Sequence, residues 1–331
     1  MSKKYDVCAI GNALIDYEIE VNDEFFSENN VEKGLMTLVD DDKQKELVSL
    51  VTDGIKKKQG GGSAANTIFG VCEFGGTGFY TCKVANDEDG RLFVKDLQDN
   101  GIDSNLSEDS LLEGITGKCL VMITPDAERT MNTFLGITTD FSPKELDADA
   151  ITNSNYLFME GFLVSSETGL EAMKEAKKIA QDNDVKVSLT FSDPSMVKYF
   201  GDQMREVVGD GVDLLFCNIH EAELFTGLEG LENVKEELQK YAKKFVITLS
   251  AEGAIAYDGE SFTSIEPFPV KAVDSTGAGD MFAGAFLYGV NHGHSFAEAG
   301  KLASLASSTV VSKFGPRLND SHIREIRSRL S

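Results

Sequence analysis

The stretch VKAVDSTGAGDMFAGAFLYG, residues Val270–Gly289, decides the fold. Its first part, Val270–Val273, is apolar apart from one lysine and predicts a short buried strand. Its last part, Met281–Tyr288, is apolar on nearly all sides and predicts a helix packed inside the protein. A glycine-rich turn that joins a strand to a buried helix is common in α/β proteins.

The turn itself contains Gly277, Ala278 and Gly279, followed directly by Asp280. Glycines let backbone N–H groups approach a ligand closely, and the first N–H groups of a helix have no intrahelical partner. The turn therefore predicts an anion site with an adjacent carboxylate, which the helix N-terminus should keep ionised. A phosphate beside a base suggests phosphoryl transfer. Alternatively, the glycines only permit close packing and Asp280 starts the helix, but residues 274–276 already offer capping groups.

Composition limits the classes of partner and the compartment. The 331 residues allow one large domain or two smaller ones, and 31 Lys and Arg against 55 Asp and Glu give a net charge of −24. Such a charge disfavours nucleic acid and anionic membranes as partners. The five cysteines form no C-x-x-C pair and the four histidines form no zinc pattern, so we expect reduced packing cysteines. A polar start and the lack of any membrane-spanning run predict a cytoplasmic protein.

The N-terminal region predicts strands that lead to an acid. Tyr5–Ile10 is an apolar strand, and Asp16 follows it closely, where ligands collect in open α/β sheets. From the local sequence alone, however, a turn role for Asp16 is the favoured interpretation. Tyr17–Val21 alternates, which predicts a strand with one covered and one wet face, and residues 41–51 predict a helix.

A second glycine-rich stretch, QGGGSAANTIFGVCEFGG, covers Gln59–Gly76. Its three glycines precede a helix start at Ser63, and Asn66 has the donor and acceptor that suit a hydroxylated sugar. A plain glycine-rich turn is the alternative. Neither glycine region fits G-x-x-x-x-G-K-[ST] or G-x-G-x-x-G, which argues against a P-loop enzyme and a Rossmann dehydrogenase.

A hairpin is predicted in the middle of the chain. The runs Lys118–Thr124 and Thr130–Leu135 flank the turn Pro125–Glu128, and the pair could associate with Tyr17–Val21 as a flap. Flaps exclude water, which protects a phosphoryl donor from hydrolysis. Arg129 in this hairpin could reach phosphate oxygens or could be an ordinary surface arginine.

The remaining sequence alternates short β-rich runs with helical stretches, which is the pattern of βαβ units in a mainly parallel sheet. The strands are expected at Tyr156–Met159, Val185–Thr190, Leu214–Cys217, Phe245–Leu249 and Ala254–Tyr257, and helices include 167–183, 233–243 and a last helix at 295–311. Asn218 and Glu221, one helical turn apart, could hold the water shell of Mg²⁺ or could be a helix cap and an exposed acid.

Together these motifs resemble the ribokinase, or phosphofructokinase-B, family of sugar and nucleoside kinases. GNALID (11–16), GGGSAAN (60–66), NIHE (218–221) and the quite specific DSTGAGD (274–280) occur in the family's order across nearly the whole chain. The resemblance implies a Rossmann-like α/β/α sandwich with a mainly parallel central sheet and a small β-sheet lid. The opening and the lid sequence ERTMNTFLG are more similar to adenosine kinases than to ribokinases or fructokinases.

The resemblance implies a role for each motif. Asp280 is the base that removes the acceptor's proton, the Gly277, Ala278 and Gly279 backbone is the anion hole for the γ-phosphate, and Arg129 is the lid arginine that meets the phosphate. The acceptor's ribose hydroxyls are assigned to Asp16, Gly61, Gly62 and Asn66. A nucleoside base needs an apolar slot, for which the candidates, equally suited to the lid core, are Leu14, Phe134, Leu135 and Phe162.

The resemblance also implies ATP and Mg²⁺ as cofactors, and K⁺ in some members. Asn218 and Glu221 match the element linked to magnesium, with Glu221 acting through water. Further nucleotide contacts are expected at Ser250, Gly253, Gly279 and Ala306. Asp274 and Thr276 lie where some members bind potassium.

We therefore expect one domain over residues 1–331, with lid segments at about 14–38 and 112–139, acting as a monomer or a homodimer. The predicted reaction is ATP-dependent phosphorylation of a primary hydroxyl of a nucleoside, adenosine first, yielding AMP. A sugar kinase for ribose or fructose is the alternative within the family. A non-catalytic nucleotide or nucleoside sensor and an oxidoreductase on a doubly wound sheet are the readings from other classes.

Overall fold

The structure is a computed structural model that describes residues 3–107, 109, 111–126 and 128–330. These residues form fourteen strands. In chain order they are β1 (Tyr5–Ile10), β2 (Leu14–Glu20), β3 (Met36–Leu38), β4 (Lys57–Gly61), β5 (Gly78–Thr81), β6 (Asp103–Ser104), β7 (Gly117–Ile123), β8 (Arg129–Phe134), β9 (Ser154–Glu160), β10 (Lys186–Thr190), β11 (Leu214–Asn218), β12 (Phe245–Thr248), β13 (Ala254–Tyr257) and β14 (Phe262–Ile265).

The same residues form thirteen α-helices, besides short 3₁₀ turns. They are α1 (Asp23–Asn29), α2 (Asp41–Val51), α3 (Ser63–Glu73), α4 (Glu88–Asp99), α5 (Ala148–Thr152), α6 (Glu167–Asp182), α7 (Pro194–Tyr199), α8 (Gly201–Val208), α9 (Ile219–Thr226), α10 (Leu231–Leu238), α11 (Ala278–Asn291), α12 (Phe296–Val311) and α13 (Asp320–Leu330).

Nine strands form the large sheet, in the order β14-β13-β12-β11-β10-β9-β1-β5-β6. All neighbours pair in parallel except β12 with β13 and β13 with β14. One apolar core joins this sheet to α3, α11 and α12, and a second joins its other face to α6, α8 and α9. The predicted α/β/α sandwich with a mainly parallel sheet is confirmed.

Helix α11 is the central helix of the first core. Residues 281–287 are buried, and the helix packs against α3 and α12. Gly284 is required at the α3 contact, because a Cβ there would lie 2.5 Å from the Thr67 carbonyl oxygen and 3.1 Å from the Gly70 Cα. The buried helix predicted from residue 281 onward is therefore confirmed.

The strand predicted at Val270–Val273 is wrong. No strand lies there, and Val270 and Val273 are 43% and 40% exposed. Pro267 and Pro269 precede the segment and lack the N–H groups that a sheet ladder needs, which keeps it an open loop.

The small sheet has the order β3-β8-β7-β2-β4. The predicted hairpin is confirmed as the antiparallel pair β7 and β8, and β2 joins it by pairing in parallel with β7. Within the hairpin turn, Ala127 lies outside the described residues. The sheet's outer face is covered by α2, since Leu47 and Val51 share a core cluster with Ile15, Leu120 and other strand residues.

This packing corrects two expectations about β2. Asp16 lies inside the strand and not in a turn. The strand also has no wet face: Leu14 to Ile19 are all buried, because α2 and the core cover one side and the interior of the molecule covers the other. Even Glu18 has no exposed surface.

The chain ends with a helix that the sequence pattern did not indicate. α12 corresponds to the helix predicted at 295–311, but α13 follows it and buries Ile323 and Ile326 against the first core. All five cysteines are free thiols, and burial raises the pKa of Cys8 to about 12, as expected for packing residues. In the described part of the chain, no helix is both long and apolar enough to cross a membrane.

Candidate active site

A cavity of about 690 Å³ lies between the two sheets. Four neighbouring parallel strands of the large sheet contribute their last residues to its wall: Glu160, Thr190, Asn218 and Thr248. The first turns of α3 and α11 complete this side, and β2, β7 and β8 of the small sheet form the opposite side. The cavity therefore sits at the carboxyl edge of the sheet, where α/β folds bind ligands.

Asp280 lies in the first turn of α11, lines the cavity and is held from both sides by α3. The Ser63 hydroxyl donates to its Oδ1 at 2.7 Å, and Asn66 Nδ2 donates to its Oδ2 at 3.1 Å. Burial raises the pKa of Asp280, and these two hydrogen bonds and the Arg129 charge act against that rise. Burial is the largest of these influences, so the pKa of this carboxylate lies above its ordinary value, which is the direction that favours a base.

The glycine turn before Asp280 presents free N–H groups. Gly277 has φ +71°, and a Cβ there would lie 2.3 Å from Pro316 Cβ, so only glycine fits. In the described structure the Gly277 and Gly279 amides have no protein acceptor, whereas the Ala278 amide donates to the Ser275 carbonyl at 3.3 Å. Two of the three predicted anion-hole amides are thus available, and Ala278 contributes less than expected.

Asp16 lines the cavity from β2 and is 5% exposed. Burial, reinforced by the nearby Glu18 carboxylate, raises its pKa to about 8, and Arg317 opposes the rise. Gly61 does not line the cavity, but a Cβ there would lie 2.1 Å from the Asp16 carboxyl carbon. Gly61 therefore makes room for the acid. Gly62 does line the cavity.

Asn66 of α3 lies beside Asp280 and also lines the cavity. Its Nδ2 is used by Asp280, whereas its Oδ1 is buried without a hydrogen-bond partner in the described structure. A buried amide oxygen normally accepts a hydrogen bond, so this atom suits the hydroxyl of a ligand.

The side of the cavity that the small sheet forms is mostly apolar. Of the four residues predicted to form a slot for a base, Leu14, Leu135 and Phe162 line the cavity, but Phe134 does not. In β8 the residues alternate, and the cavity is lined by Arg129, Met131 and Thr133, which places Phe134 on the other face. Sequence analysis missed further apolar lining residues: Met36, Leu38, Cys119, Val121 and Met131.

Arg129 lines the cavity and makes no ion pair within the described residues. Its Nη1 contacts only Met131 Sδ, at 3.8 Å. Its charge nevertheless opposes the rise that burial causes in the pKa values of Asp280 and Glu221, so it lies within electrostatic range of both acids. An arginine without a carboxylate partner beside an anion site is available to a phosphate.

Asn218 and Glu221 form a capping box at the start of α9, with the Asn218 side chain accepting from the Glu221 amide at 2.9 Å. Both Glu221 oxygens accept from Asn218, from its amide at 2.9 Å and its Nδ2 at 2.8 Å. The cap interpretation is correct, but the acid is only 4% exposed, and burial raises its pKa to about 8. Both residues also line the cavity.

The oxygen ligands in the cavity wall fit a metal ion that takes most of its ligands from substrate and water. Among the described residues no group of three or more His, Cys, Asp or Glu could hold an ion. Mg²⁺ commonly uses one or two carboxylates and takes its other ligands from phosphates and water, for which Glu221 suffices. The cavity wall contains Asp16, Glu160, Glu221 and Asp280 against Arg129 as its one described cationic side chain, so a polyphosphate needs such an ion here.

Of the two predicted potassium ligands, only Asp274 has its side chain engaged with the protein in the described structure. Asp274 is fully buried, accepts from the Thr276 amide at 2.8 Å and the Gly315 amide at 2.9 Å, and does not line the cavity. Thr276 lines it, and its buried Oγ1 lacks a partner in the described structure. A potassium site here stays a prediction.

At the other end of the cavity, Ser250 and Gly253 are lining residues but Ala306 is not. Ala306 has no exposed surface and belongs to the core between α12 and the sheet. The lining face of α12 consists instead of Ser304, Ser307, Ser308 and Val311. Their i, i+3, i+4, i+7 spacing was visible in the sequence and would have identified them.

Glu160 is a site residue that sequence analysis missed. It has no exposed surface, and its two oxygens accept from the Asn12 amide at 2.6 Å and the Ala64 amide at 2.7 Å. Burial raises its pKa to about 7. Gly11 lacks a Cβ that would lie 2.6 Å from this carboxylate. The available signal was an acid at the end of a predicted strand, one residue beyond Met159.

Comparison with known proteins gives concordant results. A model of the pfkB family carbohydrate kinases matches residues 34–323. An adenosine kinase from Sinorhizobium meliloti has 32% identity, covers 98% of this chain and 99% of its own, and superposes with a TM-score of 0.92. A probable sugar kinase from Rhizobium etli CFN 42 has 30% identity, 99% and 100% coverage and a TM-score of 0.93. Adenosine kinase of Saccharomyces cerevisiae is 25% identical over 328 residues, which are 93% of this chain and 95% of that one.

Proposed function

The chain belongs to the pfkB family of carbohydrate kinases, and we propose that the alcohol it phosphorylates is a primary hydroxyl of a nucleoside, adenosine first, which would yield AMP. Membership makes the protein a phosphotransferase with an alcohol acceptor, and its family uses ATP and Mg²⁺. The choice of acceptor within the family is the proposal. The relative from Sinorhizobium meliloti, an adenosine kinase aligned over nearly the whole chain, supports it.

The observation that carries the proposal is the apolar wall beside Asp16. A free sugar carries hydroxyls on all sides, whereas a nucleoside also has a flat base. Transfer of that base from water to an apolar surface is favourable. In the cavity, Asp16 and the free Asn66 Oδ1 suit ribose hydroxyls, and the apolar part of the lid lies against the same space. That part of the wall contains Leu14, Met36, Leu38, Val121 and Met131.

In the proposed mechanism Asp280 accepts the proton of the acceptor hydroxyl as that oxygen bonds to the terminal phosphorus of ATP, and the bond from this phosphorus to the bridging oxygen breaks to release ADP. The Gly277 and Gly279 amides face the transferring phosphoryl group, and Arg129 contributes its charge from the lid. Phosphoryl transfer needs mainly alignment and charge neutralisation, and both sides of the cavity supply these. Bound Mg²⁺, held through Glu221 and water, would neutralise phosphate oxygens.

We also propose that the chain is one catalytic domain with a lid. The small sheet supports this, because four of its strands, β2, β3, β7 and β8, fall within the expected lid segments 14–38 and 112–139. The fifth, β4 (Lys57–Gly61), lies outside both segments and leads directly into α3. Strand β4 thus connects the lid to α3, the helix that donates hydrogen bonds to Asp280.

A substrate panel tests the acceptor. The purified protein is incubated with Mg²⁺, γ-labelled ATP and adenosine, inosine, guanosine, ribose or fructose, and kcat/KM is measured for each. We expect adenosine to exceed ribose and fructose by about 100-fold, roughly the value of burying one ring. A sugar that matches or exceeds adenosine would replace this proposal with the sugar kinase alternative, which the probable sugar kinase from Rhizobium etli favours.

A further inference from the structure

Both carboxylate oxygens of Asp280 are already engaged by one neighbouring helix. Ser63 donates to Oδ1 at 2.7 Å and Asn66 Nδ2 donates to Oδ2 at 3.1 Å. Ser63 and Asn66 are three residues apart in the first turn of α3, so they lie on the same face of that helix. Two donors from one rigid face fix a carboxylate in rotation as well as in position.

That first turn is itself fixed. Glu160 accepts from the Ala64 amide, adjacent to Ser63, at 2.7 Å and from the Asn12 amide at 2.6 Å. Farther along α3, the Gly70 and Gly284 backbones pack against each other, with Gly284 lacking a Cβ that would lie 3.1 Å from Gly70 Cα. The Ser63 hydroxyl is therefore carried by a segment with little freedom to move.

We infer that Ser63 is a positioning residue for phosphoryl transfer, which acts by holding Asp280 with its Oδ1 aligned toward the acceptor hydroxyl. This inference rests on the proposed role of Asp280 as the base. The inference gives the two donors on α3 different roles. Asn66 has a second polar atom that remains free for the acceptor, whereas the single hydroxyl of Ser63 is used by Asp280. Loss of Ser63 should hence affect turnover more than binding.

The hydroxyl of Ser63 also tunes Asp280. It donates to the charged form of the carboxylate, and such donation lowers the pKa of Asp280, so removing it favours the protonated form. The other titratable groups that interact electrostatically with Asp280 come from five further elements: Asp16 of β2, Tyr80 of β5, Arg129 of β8, Glu160 of β9 and Glu221 of α9. Substitution of Ser63 leaves all five in place, which makes the shift attributable to this one bond.

The test compares Ser63→Ala with Ser63→Thr, using adenosine, Mg²⁺ and ATP. We expect Ser63→Ala to lower kcat about 10-fold, the usual value of a hydrogen bond to a charged group, with both KM values changed less than about 2-fold. The acidic limb of the kcat profile should move to higher pH. Ser63→Thr keeps the hydroxyl and should restore most of kcat and the limb. As a control, Ser295→Ala removes the hydroxyl of the N-cap serine of α12, which does not line the cavity, and it should change neither.

Each other outcome has a defined meaning. An unchanged kcat and pH limb in Ser63→Ala, or a raised KM at constant kcat, would overturn the inference and make Ser63 structural or substrate-binding. Equal losses in Ser63→Ala and Ser63→Thr would do the same. If Ser63→Ala does not fold, Ser63→Cys, with a weak donor of similar shape, takes its place in the comparison.

Asp280→Asn separates this inference from the proposed function. If Asp280→Asn stays active, the base assignment fails, whatever Ser63 does. If it is inactive and Ser63→Ala is normal, only the Ser63 inference fails. If both the base assignment and the Ser63 inference are correct, the variant that combines Ser63→Ala with Asp280→Asn should lose no more activity than Asp280→Asn alone. The effects of substituting groups that act as a unit are not additive.

Discussion

The cavity has a body wall, formed by the large sheet and its helices, and a lid wall, formed by the small sheet. These two walls differ in how their functional groups are held. On the body wall, Asp280, Glu160 and Glu221 each accept two hydrogen bonds from the protein. On the lid wall the side chains are mostly apolar, and the one cation, Arg129, has no carboxylate partner among the described residues. The body therefore presents preorganised polar groups, and the lid presents a surface that a ligand completes.

This difference suggests a division of labour. Chemistry at a phosphorus atom needs donors and a base fixed to fractions of an ångström, which buried hydrogen bonds provide. Acceptor choice needs a surface that fits one ring and excludes water, and methionines such as Met36 and Met131 adapt to irregular shapes. We expect substitutions on the body wall to lower kcat and substitutions on the lid's apolar face to raise KM.

Replacing the base tests the body wall and should give the largest effect. Asp280→Asn keeps the size and can still contact Ser63 and Asn66, but it cannot accept a proton, so kcat should fall about 10³-fold. The KM for ATP should change little, because the Gly277 and Gly279 amides remain. Steady-state kinetics with adenosine measures both values, and thermal unfolding shows that the variant is folded. Activity within 10-fold of the parent would remove Asp280 from its role.

The body wall was largely predictable because its groups lie in local motifs. Gly277–Asp280 and Gly60–Asn66 each join a helix N-terminus to residues nearby in sequence, so the short-range pattern alone indicated them. Glu160 was missed because its importance depends on the amides of Asn12 and Ala64, which are remote in the chain. Hydrogen bonds over such separations leave no local signature.

The lid wall was harder to predict. Which residues of β8 face the cavity depends on the strand's register and on the side that α2 covers, and one step of alternation separates Met131 and Thr133 from Phe134. The same problem affected Ala306, which we predicted as a nucleotide contact, although neighbouring serines of α12 line the cavity instead. Composition identified both segments, but packing decided their orientation.

Removing the lid's charge tests whether the lid takes part in chemistry at all. Arg129→Ala should lower kcat about 100-fold, because the developing phosphoryl charge loses its only cationic side chain in the described wall. Arg129→Lys should recover part of the rate, since it keeps the charge but not the planar fork. The kinetics are compared at several Mg²⁺ concentrations. A change in the adenosine KM alone, at constant kcat, would contradict the predicted role and restrict the lid to acceptor binding.

The buried acids of both walls predict how stability varies with pH. Burial raises the pKa of Asp16 and of Glu221 to about 8 and that of Glu160 to about 7, above the ordinary values of about 4. At pH values between the ordinary and the folded pKa of each acid, the folded protein binds more protons than the unfolded chain. The stability that these protonated acids contribute is therefore complete at low pH and is lost as pH rises through their folded pKa values. We expect the free energy of unfolding without ligand to fall by several kcal/mol from pH 5.5 to pH 8.5, since each acid contributes about 1.4 kcal/mol for every pH unit up to its folded pKa.

Urea unfolding at these two pH values measures the change. Asp16→Asn removes the lid-side acid and should reduce the slope, and Glu221→Gln should do so for the body side. A stability that rises over this interval would show that these carboxylates are ionised in the folded protein at lower pH than their burial indicates.

The smallest effect should come from trimming the apolar lid face. Met131→Ala removes part of the surface expected to contact a nucleoside base, so the KM for adenosine should rise about 10-fold, the value of roughly two buried methylene groups. Ribose has no base to contact Met131, so kcat/KM for ribose should change less than about 2-fold. Leu35→Ala, an apolar lid residue that is 47% exposed and does not line the cavity, should leave the ratio of adenosine to ribose unchanged. If Met131→Ala weakens both acceptors equally, the apolar lid face serves closure of the cavity, and acceptor choice must lie on the body wall instead.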